Sequence, residues 1–230
     1  MSDSSKAEEP TTDGTTDSSS QTAPTMSRQL VRAAVLMAVL AVSFHLTSST
    51  NTTTNDSNKR HMILLLHLLS FSSWFGCSIW VSFIAGIVMF QNLPRHVFGR
   101  LQAKLFPAYF LFSAVMMVVA WATAQALQWT KESWIPLGSI LATILANLVF
   151  LEPKTTEVMF ARHVVERRLG TGHEVGIIKP KDPKAANDPE LKALSKQFGM
   201  LHGISTLMNL MALGVGCYWI NFLALQIMVR

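Results

Sequence analysis

The chain has 230 residues, half of them hydrophobic, with 19 Lys+Arg against 14 Asp+Glu and a formal net charge of +5. Four stretches, Met62–Phe90, Leu105–Trp129, Ile135–Leu151 and Gly199–Val229, contain no Asp, Glu, Lys or Arg, and about 20 apolar residues as helix cross a bilayer core. This excludes an ordinary soluble domain. The basic excess lies between the uncharged stretches and reads as membrane orientation rather than as a nucleic-acid surface.

Residues 1–25 are rich in Ser, Thr, Asp and Glu, cannot bury enough surface to fold, and read as a disordered polar tail. Residues 26–46 carry Arg28 and Arg32 before the apolar run Ala33–Leu46. That pattern is either a signal-anchor helix or a cleaved signal peptide. Residues 47–60 form a polar linker with two glycosylation acceptor patterns, Asn51-Thr-Thr and Asn55-Asp-Ser. Their use would place the linker in a lumen or outside the cell.

The first long span leads into Pro94, which suits the first turn of a helix. Beyond it His96, Arg100 and Lys104 recur every four residues, with Val97, Leu101 and Leu105 on an adjoining face. This spacing predicts a helix lying on the membrane surface, with Pro107 turning the chain into the second span. Arg95, His96, Arg100 and Lys104 are therefore candidate contacts for lipid headgroups, anionic ones in particular. The same residues equally serve to set topology. Between the second and third spans, the turn Thr130–Trp134 has Lys131 alone as a basic residue. The positive-inside rule puts that turn outside, with Trp129 and Trp134 at headgroup level, and puts the two basic loops in the cytosol.

Leu151-Glu-Pro predicts the end of the third span. A second amphipathic segment is expected from Thr155, ending at Gly170 and Gly172. The loop 152–198 carries nine Lys/Arg against seven acidic residues. Its Pro180, Pro183 and Pro189 predict a mobile stretch over 173–197, and 155–198 offers a surface for a cytosolic partner.

Polar residues inside spans are the candidate site, because their burial is costly. His202, Ser205, Thr206 and Asn209 share one face of the fourth span. Asn147 lies at a similar depth on the third, with Glu152 at the mouth. Such a cluster can relay protons or ions, bind a substrate, or simply hold helices together by hydrogen bonds worth roughly 1 kcal/mol each. His67 and His202 lie at opposite membrane faces, on the order of 25–30 Å apart, so no shared haem or metal is expected. Met208, Met211 and Cys217 are soft ligands that more commonly serve as packing. Cys77 and Cys217 both lie within spans, which excludes a disulfide framework. No metal, cofactor or catalytic motif is expected. Small residues at four-residue spacing, at Ser78/Ser82/Gly86, Gly138/Ala142/Ala146 and Gly199/Gly203, suit close helix contact or a homodimer.

The segment from Trp80 to Phe110, with Gln91-Asn-Leu-Pro-Arg-His and Phe106-Pro-Ala-Tyr-Phe within it, resembles the signature of the transmembrane protein 205 family. Further matching blocks are His67-Leu-Leu-Ser, Asn147 followed by Leu151-Glu-Pro-Lys-Thr-Thr-Glu, and His202-Gly-Ile-Ser with Asn209-Leu. The resemblance covers residues from about 61 to the end. It implies a four-helix membrane domain over 61–230, in the endomembrane system or at the cell surface, linked to platinum-drug resistance and vesicular export, with no established enzymatic activity. The expectation is an all-α polytopic transmembrane bundle of four core spans plus the N-terminal run, non-enzymatic and acting in membrane traffic or export-linked resistance. Two alternatives are a small, dimeric transporter or channel for ions, metals or drugs, and a membrane enzyme using His96 or His202 as acid/base.

Overall fold

The structure, a computed structural model, describes residues 57–129, 131–176 and 183–228, together with positions 34 and 41. The chain divides into two compact units, Met1–Val35 and Leu36–Arg230. The first is described only at Ala34, which is helical. Apart from Ala34 and Ala41, the polar tail, the 26–46 run and the acceptor residues Asn51 and Asn55 lie outside the described residues.

Among the described residues, four helical rods are long and apolar enough to cross a membrane. The rod α1 runs Ser57–Asn92, taking in the last four residues of the expected linker. Helix α2 is Arg95–Ala126. Rod α3 joins Lys131–Ala146, a π-helical stretch Asn147–Leu151, and Glu152–Arg168. A short α4, Pro183–Asn187, precedes α5, Pro189–Met228. The rods alternate in direction, and α1 packs on α2, α2 on α3, α3 on α5, and α5 back on α1. The fold is thus an all-α, polytopic transmembrane bundle with a tryptophan-rich end and a basic end.

The centre is filled by Trp74, Phe110, Met117, Leu137, Ile140, Ile144, Leu148 and Trp219, all almost fully buried. Lipid is as apolar as these side chains, so dispersion and close fit hold the rods together rather than escape from water. Of the small-residue faces, Ser78 accepts a hydrogen bond from Tyr109 Oη at 3.0 Å. Gly199 and Gly203 face open space, whereas a Cβ at Gly216 would meet the Phe75 ring at 3.0 Å. The tight glycine contact in α5 is therefore near its middle, not at the pair singled out by spacing.

Three expectations about boundaries are corrected. First, the 95–106 segment does not lie flat as a separate surface helix. It is the opening third of α2, and Pro107 sits inside that helix. Proline removes one backbone donor, and spanning helices tolerate this when neighbours hold both halves. Second, Leu151-Glu-Pro does not end the third span. The turn widens over Asn147–Leu151, with the Glu152 N–H bonding the Asn147 carbonyl. This relieves the crowding that Pro153 would impose on a regular turn. The Thr155 hydroxyl donates to the Leu151 carbonyl at 2.6 Å, satisfying a backbone group at the irregularity. Third, the stretch expected to be mobile is helical from Pro189. Asp188 caps that helix by accepting the Leu191 N–H at 2.8 Å, followed by Pro189 in the first position and Glu190 in the first turn.

Candidate functional site

At the tryptophan end, His67 is fully buried. Trp219 Nε1, which can only donate, points at His67 Nε2 at 3.1 Å. The ring proton therefore sits on Nδ1, which lies 3.0 Å from both the Ala120 carbonyl and Thr123 Oγ1. Trp129 meets the same ring edge-on, at 5.0 Å between centroids. Trp134 instead stacks edge-on with Trp121. Both turn tryptophans are half-buried and pack against the bundle. The His67 ring is thus satisfied at both nitrogens and knits α1, α2 and α5, while Trp121 Nε1 at the same end has no partner among the described residues.

At the basic end the sequence-derived residues gather around one small cavity of about 60 Å³. Glu152, His202, Ser205, Thr206 and Asn209 line it, with Phe198 at its side. Asn147 is fully buried behind it and accepts a short hydrogen bond from Ser205 Oγ, while its own amide donates to the Thr143 carbonyl at 3.0 Å. Glu152 is buried and accepts from Thr156 Oγ1 at 3.2 Å. The His202 ring stacks on Phe198 with 4° between planes, and the Arg162 guanidinium lies 5.4 Å above that Phe198 ring. The cavity has room for a few water molecules.

The lipid-contact candidates split. Arg100 and Lys104 are exposed, whereas His96 is buried. Arg95 and His96 are both turned inward onto Glu166, a carboxylate that is only 1% exposed. Its Oε1 accepts from Arg95 Nη1 at 2.9 Å and from Arg162 Nε and Nη2 at 3.0 and 2.9 Å. Its Oε2 accepts from His96 Nε2 at 2.9 Å. His163 lies beside them, its ring 4.4 Å from that of His96 between centroids. Sequence reasoning missed His163 and Glu166. The available signal was a His and a Glu three residues apart on one helix face, a spacing that bundles use to present a ligand pair.

The chain after α3 closes over this cluster. The helix ends in a Schellman turn, with Gly170 N–H on the Arg167 carbonyl and Thr171 N–H on the Glu166 carbonyl. Gly170 and Gly172 take positive φ values of 67° and 97°. The carbonyls of Gly172 and Glu174 then accept the His96 and Arg95 N–H groups at 3.1 and 3.0 Å, capping the free start of α2. A Cβ at Gly172 would lie 2.0 Å from His96 Nε2, so only glycine fits. Partial burial opposes ionisation of Glu174, but the N–H groups of Gly172 and of Glu174 itself, with the Arg95 charge, outweigh it and hold this carboxyl below its usual range.

Fold and site define a multi-pass helical membrane protein with a polar cavity and a buried charge cluster at its basic end. The comparisons agree. A family model described as a domain of unknown function (DUF4149) matches residues 69–164. The chain is 32% identical to transmembrane protein 205 of Danio rerio over 183 residues, covering 75% of this chain and 96% of that one. It is 25% identical to xanthocillin biosynthesis cluster protein D of Aspergillus fumigatus over 166 residues, covering 70% and 87% respectively. No solved structure matches. The chain belongs to the transmembrane protein 205 family.

Proposed function

We propose that this membrane protein acts without catalysis in membrane or vesicular traffic or export-linked resistance, in the endomembrane system or plasma membrane, with its basic end in the cytosol. The observation that carries this reading is the state of the polar cavity. Asn147 and Ser205 are engaged with each other, and the space beside them is about 60 Å³. Small-molecule sites span roughly 300–1,000 Å³. The polar face thus suits an organising role better than a drug path or a substrate site. Arg100 and Lys104, exposed beside exposed Val97 and Leu101, are the remaining contacts for anionic headgroups. The exposed flanks of 155–168 and 189–198 suit a cytosolic partner, and the open face at Gly199 and Gly203 suits a second copy.

A small transporter is the second reading. It is favoured by a hollow of about 420 Å³ at the tryptophan end, apolar through Leu64, Leu68 and Leu223, with Arg60 and His61 at its edge.

Reconstitution in liposomes separates the two. The traffic reading expects no saturable uptake of protons, metal ions or small drugs by wild type or His202→Ala. It also expects Arg100→Glu/Lys104→Glu to weaken binding to anionic vesicles or shift localisation. Saturable uptake lost in His202→Ala would establish transport. Turnover of a membrane substrate lost in a His96 or His202 variant would establish an enzyme.

A further inference from the structure

His163 is the anomaly of the basic end. It is 3% exposed. Its ring meets those of His96 and Phe160. Yet no side chain or backbone group among the described residues hydrogen-bonds to it. With no protein partner of their own, its nitrogens are available to a ligand. Two other buried residues converge on it: one nitrogen each of His96 and His163 and one carboxylate oxygen of Glu166 all lie within 4.8 Å of one another.

We infer that His96, His163 and Glu166 form a binding site for one borderline divalent cation of the Zn²⁺ type. Two imidazoles and one carboxylate are a ligand set such ions accept, with a fourth position left for water. A hard ion such as Ca²⁺ or Mg²⁺ asks for a shell of oxygens, which this site does not offer.

The geometry is close to what one ion requires. With bonds of about 2.0–2.2 Å, ligands on a shared ion sit roughly 3–3.5 Å apart. His96 Nε2 and Glu166 Oε2 already stand 2.9 Å apart. Binding therefore needs the His163 ring to draw in to that spacing from within 4.8 Å. It also needs His96 to present its Nε2 lone pair, so the proton now directed at Glu166 moves to Nδ1 or leaves to solvent.

The surroundings behave as a support for the ligands. Arg95 and Arg162 both grip Oε1 of Glu166, which fixes the carboxylate and leaves Oε2 facing the histidines. Their positive charge opposes a cation, and Glu174, 3.7 Å from Arg95, offsets part of it. Glycines give the rings their space. A Cβ at Gly99 would lie 2.5 Å from His163 Cε1, and one at Gly172 would strike His96. The ion would join α2 to the extension of α3, beneath the loop that closes over both. This inference does not depend on the traffic reading.

The test uses the full chain purified in detergent, stripped with a chelator, then titrated with ZnCl₂ and with CoCl₂ as the spectroscopic probe. The expected result is one Zn²⁺ per chain, and cobalt absorption typical of nitrogen and oxygen ligands without a thiolate band. His163→Ala removes no hydrogen bond and should keep helical content and elution volume, while weakening Zn²⁺ binding at least about tenfold. Should that variant not fold, His163→Gln, of similar volume but a poor ligand, is read in the same way. Cys217→Ser should change nothing. The inference is overturned if folded wild type binds no more Zn²⁺ than the His163 variant. Binding lost in Cys217→Ser, or cobalt spectra with a thiolate band, would overturn it too.

Discussion

Each end of the bundle buries a histidine against α2 or within it, but the two are held by different chemistry. His67 at the tryptophan end is satisfied by an indole donor, a backbone carbonyl and a hydroxyl, none of them charged. His96 at the basic end is held by a carboxylate that two arginines also grip. The neutral cluster loses little if one contact loosens, because each bond is modest by itself. The charged cluster is different, since removing one partner strands the others without water. The tryptophan end therefore behaves as packing, and the basic end as a unit that stands or falls together.

The sharpest way to break this contrast is Glu166→Ala. It leaves Arg95, Arg162 and His96 without their shared acceptor, and should destabilise the protein by about 3–5 kcal/mol, read as a large fall in thermal midpoint in detergent. His67→Ala comes next, with a cavity and an orphaned Trp219 N–H together costing about 2–4 kcal/mol. If His67→Ala proved the worse of the two, the contrast between the ends would be lost. Gly172→Ala should cost about 1–3 kcal/mol through overpacking against His96 and a positive φ, and should speed amide exchange at Arg95 and His96. Ser205→Ala should cost only about 0.6–1 kcal/mol, as interhelical hydrogen bonds in membranes do; a drop in uptake rather than in stability would favour transport.

The smallest expected effect is with pH. Glu174 has a carboxyl held below its usual range in the folded state. Its contribution is therefore complete above the unfolded value of about 4.3 and fades as pH falls through the lower folded value. Protection factors of the Arg95 and His96 amides should drop over that acid window. In Glu174→Gln the part of the drop due to this carboxyl should vanish.

The four spans are legible in the sequence because a run without charge has few alternatives to a bilayer. The polar cavity is legible for a related reason: polar groups at i, i+3, i+4 and i+7 in such a run, as at His202, Ser205, Thr206 and Asn209, face one way. The charge cluster is not legible. His96 and Glu166 are 70 positions apart, and both occur in mixed-charge segments that look like solvated surface. Only packing of α3 beyond the spans against the start of α2 turns them inward. Local rules also mislead at Pro107 and Pro153, where neighbouring rods hold a helix that proline alone would interrupt. At Asp188-Pro189-Glu190 the reverse holds: a cap, a first-turn proline and an acid announce a helix that the surrounding prolines conceal.

The widened turn at Asn147–Leu151 has a geometric consequence for everything beyond it. A π-helical turn takes up an extra residue, and one residue is about 100° of rotation along an α-helix. The half of α3 that packs in the bundle and the half that carries His163 and Glu166 are thus out of phase with an uninterrupted helix. Regularising 147–151 to an α-helical turn with no residue removed would swing both side chains by about 100°, away from His96, whereas deleting one residue within it would leave them in place. The bulge works as an angular offset, letting one straight rod aim apolar residues at the bundle centre and charged ones at α2.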